Sequence, residues 1–245
     1  MGHRPNGSRP TPIPYDVVED LCSAIVSEVF TFIEARKNDT SKLGDTLIYD
    51  YCLDPYLFTH VDGSPFTIPI VVCAGTISDT GVFSEFYQKS IKVYFSQYGC
   101  MVAFPDQRNE LLLFVFLDGE LSAKDVYDTW RNDASMFKLF KTSVLETLVH
   151  ELTHCIEYNI HEAPTSHLND ADYINNLSEF SALKQEVWLS CRLFKKEFES
   201  EFKGTPKAIS DFLSKYCVSF SEYKDALSAK NLKAILSLAY TNLYA

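Results

Sequence analysis

The stretch SVLETLVHELTHCIEYNIH, residues 143–161, decides the reading of this chain. Val144, Leu148, Leu152 and Ile156, with Leu145 and Val149 beside them, recur at helical spacing and mark a buried stripe. Ser143 followed by Glu146 has the spacing of a capping box, which predicts a helix starting there and running to about residue 160. His150 and His154 are one turn apart on that helix and project from the same face, about 6 Å apart at the base. Two imidazoles so placed can hold one tetrahedral zinc ion at about 2.0–2.1 Å each. Glu151 follows the first histidine, where it can take a proton from an attacking water and pass it to a leaving amine.

A third ligand must come from outside this stretch. In YINNLSEFSALKQEVW, residues 173–188, Glu179 lies 25 positions after His154 at the start of the next helical pattern. Turn-forming residues between the two, Pro164, Asn169 and Asp170 among them, allow the second helix to fold back and present Glu179. Ala182, one turn on, permits close approach. A second role for Glu179 stays open, because Asn176 followed by Glu179 is itself a capping-box spacing and an acidic first turn suits the helix dipole. Glu186, two turns along the same face, is the runner-up ligand, or a solvated carboxylate. Glu157 and Glu162 read as surface charge. Tyr158, His161, His167 and Tyr173 are near enough in sequence to stabilise a developing oxyanion, with Tyr173 preferred because it precedes the Glu179 helix. His3 and His60 have no motif around them.

The pattern H-E-x-x-H at 150–154 is the zincin signature. The longer metzincin pattern is not met, because Glu157 stands where its glycine belongs and Ile160 where its third histidine belongs, with His161 one place late. H-E-x-x-H followed by E-x-x-A at Glu179–Ala182 resembles the gluzincin group of zinc metallopeptidases, most of all the compact peptidases encoded by bacteria and their phages. The resemblance covers roughly residues 140–190. It implies His150, His154 and Glu179 as zinc ligands, Glu151 as general base, a zincin-like fold, and a protein or peptide substrate.

Outward from the motif, residues 15–36 carry Val18, Leu21, Cys22, Ile25, Val29, Phe32 and Ile33 at helical spacing, predicting an amphipathic helix. Five short β-branched or aromatic runs follow, 46–52, 66–75, 91–96, 100–104 and 111–117, bounded by turns such as Asp62-Gly63 and Asp118-Gly119. Helical patterns then occupy about 122–132, 143–160, 177–200, 207–217 and 221–240. The Phe137/Phe140 and Phe194/Phe198 pairs read as core. The order predicts an α+β domain: an N-terminal helix, a mixed or antiparallel sheet, then a helical half carrying the motif. Residues 1–14 read as a flexible arm and 15–245 as one domain. An edge strand of the sheet is expected to hold substrate by main-chain pairing.

The net charge of −11 disfavours nucleic acid as a partner. Seven scattered cysteines without a CxxC pair predict reduced, mostly buried thiols and no cysteine zinc site. The polar, proline-rich start lacks the apolar core of a secretion signal, and no apolar run is long enough to span a membrane. A cytoplasmic protein, or one packaged in a virion, is expected. Two alternatives use the same residues differently. One is a structural or binding component, for instance of a virus particle, that keeps a zincin-like fold with little or no activity. The other is a zinc amidase acting on a non-protein amide.

Overall fold

The computed structural model describes residues 13, 15–59, 65–78, 95–103, 109–160, 170–205 and 207–245. The architecture is α+β. Internal contacts group the chain into two compact units, one built on Thr11–Glu151 and one on Leu152–Ala245. The division falls inside an unbroken helix. Of the expected arm, residues 1–12 and 14 lie outside the described residues, and Ile13 is buried.

The first unit opens with α1, Tyr15–Ala35, which buries Val18, Leu21, Cys22, Ile25, Val26, Val29 and Ile33. Phe32, expected in this stripe, is only half-buried, and the Arg36 guanidinium stacks on its ring at 3.9 Å. Four strands follow: β1 Leu47–Thr59, β2 Pro65–Ile77, β3 Phe95–Ala103 and β4 Asn109–Asp118. They form one sheet in the order β1-β2-β4-β3. The β1/β2 and β3/β4 pairs are antiparallel, and β2/β4 is parallel. The sheet is therefore mixed.

The parallel register sets Ile70 beside Leu111, Val72 beside Leu113 and Ala74 beside Val115, and all six are buried. Alternation along each strand thus puts one continuous apolar face on the sheet. The runs 91–96 and 100–104, expected as two strands, are corrected in part: β3 runs unbroken through Gly99, which pairs with Leu113. Residues 91–94 and the expected Asp62-Gly63 turn lie outside the described residues.

Beyond β4 the chain turns at Gly119, whose N–H donates to the Ile77 carbonyl at 2.6 Å and whose carbonyl accepts from Gly44 at 2.8 Å. Gly44 has φ +58°, a conformation glycine adopts without steric cost. Helix α2, Ala123–Asn132, starts on a capping box between Ser122 and Asp125. Helix α3, Ala134–Ile160, carries the motif.

The expected start of α3 at Ser143 is corrected. The helix begins nine residues earlier, where Asp133 Oδ1 accepts from the Ser135 N–H at 2.9 Å. The capping-box spacing at Ser143 is overridden because the buried stripe continues through it, from Phe140 to Val144 and Leu145. Trp130 of α2 stacks on Phe30 of α1 at 6.0 Å and on Phe140 of α3 at 5.3 Å, and Phe137 meets it edge-on at 5.3 Å. Cys22 Sγ also reaches the Lys141 carbonyl at 3.5 Å. These contacts fix the first half of α3 onto its unit.

The second unit contains α4 (Asp170–Asn175), α5 (Leu177–Leu193), α6 (Ala208–Tyr216), α7 (Val218–Tyr223) and α8 (Ala229–Tyr244). The helix expected over 177–200 ends at Leu193 and passes through a short turn, Lys195–Glu197, into a π-helical turn, Phe198–Phe202. The helix expected over 221–240 is two helices, because Ser228 accepts from the Asn231 N–H and starts α8 afresh. Helix α4 was not anticipated.

Leu183, Val187, Cys191, Phe198, Phe212, Phe220, Ile235 and Leu243 share one core. Phe198 packs edge-on against Phe212 and Tyr244, at 5.4 and 5.3 Å. Asn175, just ahead of α5, donates to the Ala226 carbonyl at 2.8 Å and accepts from the Ser228 and Asn231 side of the α7–α8 turn at 2.8 and 2.9 Å. The start of α5 is thereby tied to the far end of the chain.

Cys22, Cys155, Cys191 and Cys217 are buried thiols, Cys73 is half-buried and Cys52 exposed. Burial pushes the Cys22 and Cys191 thiols up to about 12. Among the described residues no helix is long and apolar enough to cross a membrane.

A methyl group on Gly119 would lie 2.6 Å from the Gly44 carbonyl oxygen and 2.8 Å from the Ile77 carbonyl, both backbone and neither able to swing away. Gly119→Ala is therefore expected to destabilise the protein by about 1–3 kcal/mol. A denaturant midpoint equal to wild type would refute that close approach.

Candidate metal centre

Helix α3 supplies His150, Glu151 and His154, and the first turn of α5 supplies Glu179. His154 is 6% exposed and Glu151 8%, while His150 is half-buried. Glu179 stands at the margin of burial, 9% over the whole residue and 11% for its side chain. One ligand atom each from His150, His154 and Glu179 all lie within 4.8 Å of one another.

Within that group, His154 Nε2 is 3.4 Å from Glu179 Oε2. This exceeds the usual N–H···O separation of about 2.9–3.0 Å. It equals the edge of a tetrahedron whose corners lie about 2.0–2.1 Å from its centre, which is roughly 3.3–3.4 Å. Two imidazoles and one carboxylate suit a borderline-soft divalent ion, and three protein ligands leave a fourth position for water or substrate. The residues present suit a divalent ion such as zinc in donor type and in number.

The structure thus brings together the three residues expected as ligands. Asn176 immediately precedes α5, and its carbonyl accepts from the Phe180 N–H at 2.9 Å. Glu179 therefore occupies the early position that the Asn176 spacing predicted, and its carboxylate also reaches His154. Ala182 is fully buried.

Glu186 is not in the ligand group, and it is not solvated either. It is 2% exposed, and its carbonyl accepts from Ser190 Oγ at 3.0 Å. Its burial corrects the reading of that residue as a solvated carboxylate. Glu146, read from the sequence only as half of a cap, is 5% exposed in the helix interior. Its place four residues before His150 was the signal that it belongs to the same face.

Tyr173 lies in α4, with its side chain outside the described residues, and the Glu157 and Tyr158 side chains lie outside them as well. His3, His60, His161, Glu162 and His167 lie outside the described residues.

No family model matches the chain, and neither a curated protein nor a solved structure matches it significantly. The gluzincin resemblance accordingly stands on the sequence motif alone.

Purified wild type is expected to hold about one zinc ion per chain by elemental mass spectrometry. Glu179→Ala should bind it at least 100-fold more weakly, a larger loss than the roughly 10–100-fold typical of residues behind the ligands. Undiminished zinc in that variant would move the third ligand elsewhere, with Glu186 the next residue to replace.

Proposed function

We propose that this chain is a zinc-dependent metallopeptidase of zincin-like, gluzincin type, hydrolysing peptide bonds in a protein or peptide substrate. The observation that carries the reading is the convergence of His150, His154 and Glu179 on a volume the size of one metal site, with Glu151 next to the first ligand. The order of an N-terminal helix, a mixed sheet and then the motif helix supports it.

Bound by His150, His154 and Glu179, zinc would supply Lewis acidity toward the scissile carbonyl and toward an attacking water. The residues do the rest. The two histidines, held one turn apart by α3, fix the ligand face. The Glu179 carboxylate offsets part of the ion's charge. Glu151, almost buried, keeps its carboxylate in a region of low dielectric, where a proton taken from the water can be handed to the departing amine without exchange with bulk solvent.

The test is a single atom exchange. Glu151→Gln should retain zinc and lose turnover by roughly 10²–10⁴-fold, read by mass spectrometry on a proteome-derived peptide library. Cleavage by the variant at the wild-type rate would remove Glu151 from the mechanism. A wild type that holds zinc but cleaves only peptidoglycan-type amides would identify an amidase. A wild type without zinc or cleavage, recovered in a large assembly, would identify a structural component.

A further inference from the structure

We propose that Glu146 is a positioning residue for this centre: its carboxylate accepts a hydrogen bond from one ring nitrogen of His150 and leaves the other nitrogen directed at the metal. The inference rests on the zinc reading above.

Glu146 lies inside α3, twelve residues past its start at Ala134, so it cannot serve the helix end. It is 5% exposed and sits among Val144, Leu145, Leu148 and Val149, all buried. An apolar side chain would fill this place without cost, whereas a carboxylate there requires a polar partner. His150 is four residues on, and both belong to the unit built on Thr11–Glu151. Cα–Cβ bonds in a helix tilt toward its N-terminus, so the His150 ring lies over the turn that carries Glu146. Side chains at this spacing have Cβ atoms about 5–6 Å apart, within the reach of a glutamate and an imidazole.

The chemistry requires such a partner. A neutral imidazole that gives one nitrogen to a metal carries its proton on the other, and that N–H must be satisfied. In a half-buried ring, a carboxylate one turn back satisfies it, fixes the tautomer and stops rotation about the Cβ–Cγ bond. It also raises the basicity of the ligand nitrogen. Glu146, His150 and His154 then form one polar line along a helix whose flanks are apolar.

The test uses the full chain with Glu146→Gln, which keeps size and an acceptor oxygen, and Glu146→Leu, which keeps size alone. Zinc affinity is measured by competition with a chromogenic chelator. Relative to wild type, Gln should bind about 10-fold more weakly and Leu about 100-fold. The metal-free Gln variant should melt within about 3 °C of metal-free wild type. Imidazole nitrogen shifts in metal-free protein should show His150 in one neutral tautomer in wild type and in a mixture in the Gln variant. If wild type binds zinc and the Gln variant matches it within about twofold, or if the His150 tautomer is unchanged, the positioning role is wrong and the metal site stands. If wild type binds no zinc, the metal site itself is wrong. Should the Leu variant not fold, the Gln variant decides.

Discussion

Four residues of α-helix advance about 6 Å and return to nearly the same face, and the candidate centre depends on that constraint. Because backbone hydrogen bonds fix it, His150 and His154 need no loop to bring their rings together. What they do need is a helix that cannot rotate. Trp130, Phe137 and Phe140 with Phe30 of α1 prevent rotation in the first half of α3. A one-residue roll would turn the ligand face by about 100°. The packing of aromatic rings well away from His150 thus sets which way that histidine faces within its unit.

The second constraint is electrostatic. A chain with net charge −11 places Glu146, Glu151, Glu179 and Glu186 where each is at most 9% exposed. Carboxylates taken out of water need hydrogen bonds or a cation. Of the four, Glu179 lies in the group that could hold a metal ion, where a bound cation would offset its charge.

The placement of the histidine pair on one helix face was legible because it depends on local periodicity alone. Glu179 was legible because the next helix had to begin near it. Ser143 misled because a capping box is a statement about four residues, whereas the helix start was decided by a core that reached back to Phe140 and Trp130. Glu186 misled because charge in a helical pattern normally marks solvent, and no local signal tells a buried glutamate from an exposed one. The runs 91–96 and 100–104 read as separate strands because residues 97–99 lack an apolar pattern, although pairing of Gly99 with Leu113 carries one strand through them. The break before α8 was written in Ser228 and Asn231, a weaker cap signal than the apolar pattern that runs across it.

Asn175 carries a consequence for the timing of synthesis. All three expected ligands leave the ribosome before residue 180, yet the partners of Asn175 lie 51, 53 and 56 positions downstream, at Ala226, Ser228 and Asn231. The phenylalanine core behind α5 likewise waits for Ile235, Ala239 and Leu243. Until that last helix emerges, the nascent chain has its histidines in place on a local helix and its glutamate on an untethered one. Any metal ion held by His150, His154 and Glu179 would therefore meet a settled third ligand only after residues some fifty positions downstream have been made.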